Sequence, residues 1–143
     1  MVGNVVKNYK GHSCDLIYNS QENLKVAAIR VNLRQALVYL MNNALEAVEG
    51  VKEPRIEVSV SDSKGFVEIS IQDNGSGVPQ DIRHRIFEPF YTTKSRQNGL
   101  GMGLSLAKTL IHSMGAKLYL DSKHSSRFVI EMHPVAKPKS IAA

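Results

Sequence analysis

Apolar and polar residues alternate along two stretches near the middle of the chain. Residues 55–60 and 66–71 carry an apolar side chain at every second position. Successive side chains of a strand point to opposite faces, so this period predicts two strands with one buried face each. The intervening residues 62–65, with the sequence DSKG, are typical of a tight turn. The pattern therefore predicts a β-hairpin.

Two other stretches repeat their apolar residues at intervals of three and four. They cover residues 33–48 and 104–114, and such a stripe predicts an amphipathic helix. Asn32 and Gln35 predict a start of the capping-box type for the first helix, because each side chain can bond a free amide of the first turn. Each helix is followed by a glycine that predicts its C-terminal end, namely Gly50 and Gly115.

Weaker patterns predict the remaining elements. We expect strands over 15–18, 24–29, 117–121 and 127–132, a short helix over 80–87 and a loop over 88–99. Together the elements predict an α/β (α+β) sandwich, in which helices cover one face of a mixed, mostly antiparallel sheet. We assign residues 13–134 to this domain, 1–12 to the remnant of a linker or preceding helix, and 135–143 to a disordered tail.

Length and composition narrow the class of protein. The 143 residues suffice for one domain with a core, but not for two. No apolar run approaches the roughly 20 residues needed to span a bilayer, and the first residues lack the pattern of a secretory signal. The one cysteine, Cys14, excludes an internal disulfide and fits a reducing compartment. We therefore expect a cytoplasmic location.

The positive net charge raises the question of nucleic-acid binding. The formal charge is +5, but the basic residues are scattered and the chain has no tryptophan. Nucleic-acid-binding proteins usually cluster their basic residues on one face. We therefore expect no nucleic-acid partner, and interpret the charge as a solvated surface with a few bases near bound phosphate.

Four short motifs follow one another between residues 42 and 104. They are NNALEA at 42–47, DNGSG at 73–77, FEPF at 87–90 and GLGMGL at 99–104. Alone, each has an ordinary structural interpretation: a polar residue on a helix surface, a turn between strands, a hydrophobic loop anchor or a flexible loop. Their occurrence together within about sixty residues predicts a purine-nucleotide site.

The chemistry of these residues agrees with that prediction. A buried, ionised Asp73 accepts a hydrogen bond from an exocyclic amine, which distinguishes adenine from guanine. The glycines of residues 99–103 leave backbone amides free to face phosphate at the start of a helix. The amide oxygen of Asn43 suits Mg²⁺ when phosphates and water supply the other ligands. No Gly-Lys-Ser/Thr follows the glycines, so this is not a P-loop.

The four motifs resemble the asparagine, first glycine, phenylalanine and second glycine boxes of histidine-kinase catalytic domains. These domains belong to the ATP-binding superfamily that also contains gyrase, Hsp90 and MutL. The resemblance covers residues 15–134 and implies a Bergerat-type ATP-binding fold, with ATP and Mg²⁺ as cofactors.

The resemblance also implies roles for individual residues. Asn43 would hold the metal, and Asn43 and Lys94 would act in catalysis, with Lys94 and Arg96 near the terminal phosphates. Ser126 stands where many members have a threonine whose hydroxyl supports the adenine-binding aspartate, although the glycine before it is Ser125 here. The nucleotide-binding positions implied are Asn43, Ala47, Asp73, Gly75, Gly77, Val78, Phe90, Lys94, Gly99, Leu100, Gly101, Met102, Gly103, Leu104 and Ser126.

A histidine kinase transfers the γ-phosphoryl group of ATP to a histidine. None of the five histidines here precedes an acidic residue or begins a long helix. The resemblance therefore implies that the acceptor lies on a separate helical dimerisation domain, in the parent protein or in trans. A response regulator would then act with the full-length kinase. Because dimerisation belongs to that other domain, we expect the isolated chain to be monomeric and unable to phosphorylate itself.

Tyr39 departs from the family pattern. Histidine kinases usually carry asparagine or histidine four residues before the metal-binding asparagine, and the hydrolysing relatives carry a glutamate that activates water. A phenol keeps its proton at neutral pH, which argues against an ATPase of the gyrase or Hsp90 type. Two alternatives to a histidine kinase remain open: a nucleotide-binding regulatory module without transfer activity, and a serine kinase of the anti-sigma type.

Overall fold

The computed structural model describes residues 1–11, 13–91 and 103–135. A short 3-10 helix covers Gln80–Arg85, between the third strand and the last helix. The other elements, in chain order, are α1 (Val2–Lys7), β1 (Asp15–Ser20), α2 (Arg30–Ala47), β2 (Arg55–Ser63), β3 (Phe66–Asp73), α3 (Gly103–His112), β4 (Lys117–Leu120) and β5 (Arg127–Met132).

The strands form one sheet in the order β1-β2-β3-β5-β4. β1 runs parallel to β2, and the other neighbouring strands are antiparallel. The β2–β3 hairpin turns at Lys64 and Gly65, which both have positive φ (52° and 82°), as a two-residue turn of the type I′ class requires. The predicted mixed, mostly antiparallel sheet is confirmed, although β2 and β3 are longer than the alternation indicates.

The core lies between the sheet and the two longer helices. α2 and α3 contact each other, and each also contacts the sheet. Leu37, Leu40 and Met41 of α2 are almost fully buried, as the helical spacing predicts. Opposite them lie the buried strand residues Ile56, Val58, Ile71 and Ile130. The predicted α/β sandwich, with helices on one face, is confirmed.

The first residues of the chain pack on this core. The sequence indicates a remnant of a linker or preceding helix at 1–12, and the structure has a helix there, α1. Val5 and Val6 of α1 are buried against the core, and the hydroxyl of Tyr9 donates to the side-chain oxygen of Asn42 at 3.1 Å. Burial raises the pKa of the Tyr9 phenol. The segment is thus packed against α2 and the core.

The prediction of a strand over 24–29 is wrong, because the structure has no strand there. Only Val26 makes an isolated bridge, to Pro134, and the amide of Val135 donates to the carbonyl of Lys25 at 2.9 Å. Pro134 lies just beyond the end of β5, and both sides of β5 are already paired, with β3 and with β4, so the segment finds no free strand there with which to form a ladder. It crosses to the start of α2 instead.

The predicted start of the first long helix is also wrong. α2 begins at Arg30, its N-cap is Ile29, and no side chain caps it. Because Asn32 lies inside the first turn, its side chain is not in the N-cap position. It donates instead to the hydroxyl of Ser113, beyond the end of α3, at 3.3 Å.

The helix ends and the last hairpin agree better with the sequence. Gly50 and Gly115 follow α2 and α3 with positive φ (78° and 72°), the conformation that favours glycine after a helix. β4 and β5 match the strands expected over 117–121 and 127–132 and pair with each other, and a 3-10 helix replaces the short helix expected over 80–87. In the described ranges, no helix combines the length and the apolar composition needed to cross a bilayer.

Candidate functional site

Asp73 lies at the end of β3 and is only 7% exposed. Its carboxylate Oδ1 accepts a hydrogen bond from the amide of Gly75 at 2.8 Å, and its own amide donates to the carbonyl of Ser126 at 3.1 Å. A short bond from the residue two positions later is the usual way in which an aspartate begins a turn. The carboxylate is therefore fixed in direction and shielded from most solvent.

The loop after Asp73 lies between the end of α2 and the turn that joins β4 to β5. A Cβ atom at Gly75 would collide with the backbone carbonyl oxygen of Ala47. Gly77 has φ of 81°, and a Cβ atom there would overlap the side chain of Ser125. Only glycine allows these close approaches. Both glycines are therefore required by the local packing.

The turn between β4 and β5 holds this loop through its main chain. The amide of Val78 donates to the carbonyl of Ser125 at 2.9 Å, and the hydroxyl of Ser126 donates to the carbonyl of Gly75 at 3.4 Å. The resemblance implies that the Ser126 hydroxyl supports Asp73. The structure shows that Ser126 reaches Asp73 with its main-chain carbonyl, while its hydroxyl bonds the neighbouring glycine.

One side of α2 faces the site along its length. Tyr39, Asn43 and Ala47 recur at four-residue spacing, so they lie on one stripe of the helix. Ala47 lies against Gly75, and the ring of Tyr39 comes within 3.9 Å of the position that a Cβ of Gly103 would occupy. Asn43 is half-buried between these two contacts. The stripe thus connects the Asp73 loop with the first residue of α3.

The structure therefore brings most of the described candidate residues together. Asp73, Gly75, Gly77, Val78 and Ser126 form one cradle at the end of β3, and Ala47 closes its side. Leu104 is half-buried in the first turn of α3 and packs against the core. Six predicted site residues lie outside the described residues: Lys94, Arg96, Gly99, Leu100, Gly101 and Met102.

The aromatic residues at 87–91 differ in how they pack: two contact other side chains and one is exposed. Phe87 packs edge-on against Phe128 of β5, with ring centroids 6.1 Å apart, and the ammonium group of Lys108 lies 4.7 Å from its ring. Arg85 stacks over Tyr91 at 4.5 Å. Phe90, with φ of 66°, is 71% exposed. The anchoring predicted for this motif therefore falls to Phe87 and Tyr91 rather than Phe90.

Sequence reasoning did not identify Asn74 as a residue that fixes the site. Its side chain accepts from the amide of Arg55 at 2.8 Å and donates to the carbonyl of Glu53 at 2.7 Å. These bonds attach the loop after β3 to the start of β2. The hairpin register predicts that residues 73–74 lie near 55, but not that the Asn74 side chain forms both bonds.

A dedicated metal centre is absent from the described ranges. No group of three or more histidine, cysteine, aspartate or glutamate side chains there is placed to hold a metal ion. The amide oxygen of Asn43 alone would supply one ligand, which fits an ion whose other ligands are phosphate and water. The donor set thus fits Mg²⁺ that arrives with a nucleotide.

Comparison with known proteins identifies the family. The model of a family described as histidine kinase-, DNA gyrase B-, and HSP90-like ATPase matches residues 28–136. The C4-dicarboxylate transport sensor protein DctB of Rhizobium meliloti is 33% identical over 101 residues, covering 71% of this chain and 16% of DctB. The sensory histidine kinase/phosphatase NtrB of the same organism is 33% identical over 126 residues, covering 78% of this chain and 32% of NtrB.

Solved structures agree with this assignment. The catalytic domain of histidine kinase ThkA has a TM-score of 0.78 at 27% identity, and the match covers 92% of this chain and 89% of that domain. Full-length ShkA in complex with AMPPNP has a TM-score of 0.79 at 24% identity, covering 95% of this chain and 30% of ShkA, which shows a shared fold. This chain spans less than a third of the length of DctB, NtrB or ShkA. It belongs to the family of histidine kinase-, DNA gyrase B- and HSP90-like ATPases.

Proposed function

We propose that this chain is the ATP-binding catalytic domain of a two-component sensor histidine kinase. It binds Mg²⁺-ATP and donates the γ-phosphoryl group to a histidine of a separate helical domain. The observation that carries the proposal is the buried, oriented carboxylate of Asp73 in a cradle that only glycines allow. The similarity to sensor histidine kinases supports the reaction, and a cytoplasmic location is part of the same proposal.

The nucleotide would extend from Asp73 to the first turn of α3. Asp73 accepts a hydrogen bond from the exocyclic amine of adenine, and the loop of Gly75, Gly77 and Val78 lines the base. The start of α3 binds phosphate through backbone amides and the positive end of the helix dipole. Phosphoryl transfer needs little covalent chemistry from the protein, so positioning and charge neutralisation suffice for these residues. Lys94 and Arg96 would add positive charge at the terminal phosphates.

The phosphate acceptor would come from outside this chain. Four of the five histidines lie in the described part of the chain, and all four are exposed: His84, His112, His124 and His133. They lie in a 3-10 helix, at the end of α3, in a turn and just after β5, respectively. Acceptor histidines belong to long helices of a dimeric domain in this family, so we assign acceptor and dimerisation to that domain. The response regulator would be phosphorylated by the complete kinase.

Label transfer tests the reaction. We would join the chain to the helical phosphoacceptor domain of a sensor kinase that it resembles and add ATP labelled at the γ position. Label is expected on histidine, and should be lost in acid and kept in base. The same fusion with Asp73→Asn is the control and should stay unlabelled.

The other outcomes separate the alternatives. Acid-stable label on a serine of a partner protein would favour a kinase of the anti-sigma type. ATP binding without transfer to any acceptor domain would favour a regulatory module. The position of Tyr39 against Gly103 is the specific observation in favour of the regulatory module, because asparagine or histidine usually stands there in histidine kinases.

The metal role of Asn43 can be tested against its neighbour in the sequence. Asn43→Ala removes the amide oxygen proposed as the metal ligand, so Mg²⁺-ATP should bind about ten-fold more weakly, the scale of one interaction with a charged group. ATP binding in the presence of EDTA should hardly change. Asn42→Ala is the matched control, because Asn42 is exposed and bonds Tyr9. Equal losses with and without Mg²⁺ would contradict the metal role.

A further inference from the structure

Tyr39 is a polar side chain of the site that the proposed mechanism does not use. It is half-buried on α2 and packs partly against the core. Within residues 1–11, 13–91 and 103–135, its hydroxyl has no hydrogen-bond partner. The hydroxyl of a partly buried tyrosine usually forms a hydrogen bond, because the apolar ring is buried while the polar tip still needs a partner. The hydroxyl of Tyr39 is therefore available to a ligand.

The position of Tyr39 on α2 indicates which part of a ligand it meets. Ala47, two turns further along the same stripe, lies against Gly75 in the cradle of Asp73. At a rise of about 1.5 Å per residue, Tyr39 lies about 12 Å along the helix from that cradle. At the Tyr39 end of this stripe, its ring lies 3.9 Å from the position that a Cβ atom of Gly103, the first residue of α3, would occupy. Tyr39 is thus remote from the base and close to the helix start that would bind phosphate.

We propose that the hydroxyl of Tyr39 donates a hydrogen bond to a terminal phosphate oxygen, β or γ, of the bound nucleotide. The inference rests on the proposed function, since it requires a nucleotide between Asp73 and α3. A phenol is a donor to an anion, and hydrogen bonds to charged oxygens are stronger than those between neutral groups. The ring would also occupy space beside the phosphates that water would otherwise fill. Tyr39 is then a substrate-binding residue of the phosphate end.

The experiment removes the hydroxyl and varies the number of phosphates. Tyr39→Phe keeps the ring and its packing, and ATP, ADP and AMP are each titrated into the wild type and the variant. ATP should bind about ten-fold more weakly to the variant, as expected for one hydrogen bond to a charged group. AMP, which lacks the terminal phosphates, should bind equally to both. A loss for ADP as well as ATP would assign the bond to the β-phosphate, and a loss for ATP alone to the γ-phosphate.

Tyr119→Phe is the matched control. Tyr119 lies on β4 between Leu118 and Leu120, which pack in the core, so its own side chain is on the opposite face of the sheet. This variant should bind all three nucleotides as the wild type does. Thermal unfolding of both variants checks that the fold is kept.

Two results would overturn the inference, and they differ from failure of the proposed function. Unchanged ATP binding by Tyr39→Phe would show that the hydroxyl makes no contact with phosphate. An equal loss for ATP and AMP would show that Tyr39 acts through packing of the whole site. In both cases the wild type still binds ATP and the proposed function stands. If the folded wild type binds no ATP, the proposed function and the inference fail together.

Discussion

Asp73→Asn is expected to abolish the binding of adenine nucleotides while leaving the domain folded. The carboxylate is 7% exposed, and its Oδ1 accepts from the amide of Gly75. Asparagine has nearly the same volume and keeps an oxygen for that bond, so the loop should retain its shape. It loses the negative charge and can present an amide donor toward the exocyclic amine of adenine. We expect a loss of about 100-fold or more, because hydrogen bonds to buried charged groups contribute about 1.5–3 kcal/mol each.

Calorimetric titration of ATP measures this effect, with thermal unfolding to confirm the fold. Asp62→Asn is the matched control, since Asp62 is exposed in β2 near the far end of the hairpin. The control should bind ATP like the wild type. Wild-type affinity in the Asp73→Asn variant would contradict the assignment of the base-binding residue.

Gly75→Ala is expected to be the most disruptive small substitution in the site. The added Cβ atom would collide with the carbonyl oxygen of Ala47 and lie 2.9 Å from Oδ1 of Asp73. The carbonyl belongs to the backbone of α2, so it cannot move as a flexible side chain does. Either the loop or the helix end must shift, which should cost about 2–3 kcal/mol of unfolding free energy, as for other overpacked sites. ATP binding should be lost with the displaced loop.

Urea unfolding and ATP titration measure the two parts of this prediction. Gly50→Ala is an informative control, because Gly50 has φ of 78° and no atom of the described residues lies within 4 Å of the position that a Cβ atom there would occupy. It should lose only about 1 kcal/mol, the strain of a left-handed conformation, and keep ATP binding. A Gly75→Ala variant that unfolds and binds ATP like the wild type would show that the loop tolerates a side chain.

Much of the fold follows from periodicity in the sequence. The alternation at 55–60 and 66–71 predicts the β2–β3 hairpin, because one face of each strand must be buried. The apolar stripe from Leu33 predicts α2, because one side of the helix must also be buried and its residues recur every three to four positions. The predicted start of α2 at Asn32 is wrong because the helix begins two residues earlier, at Arg30. A residue of the capping type caps a helix only when it occupies the N-cap position. The strand at 24–29 was wrong because strand formation needs a partner, and the sequence does not show which segments are neighbours.

The candidate site is predicted less completely. The motifs predict Asp73, Gly75 and Gly77 as site residues because four such motifs follow one another in the chain, although this motif alone is typical of an ordinary turn. Their packing depends on contacts between distant parts of the chain, such as Ser125 against Gly77 and Ala47 against Gly75. No local pattern encodes such contacts. The same holds for Phe90, whose exposure is set by the backbone of its turn rather than by its apolar character.

The central claim, an adenine-nucleotide site at Asp73, is tested most directly by titrating ATP and GTP into the wild-type chain with Mg²⁺. The proposal predicts that ATP binds with a Kd of micromolar to tens of micromolar, about 6–8 kcal/mol of binding free energy. GTP should bind at least about 100-fold more weakly, since its base presents a carbonyl to the carboxylate. A folded chain that binds neither nucleotide, or binds both equally, would contradict the claim.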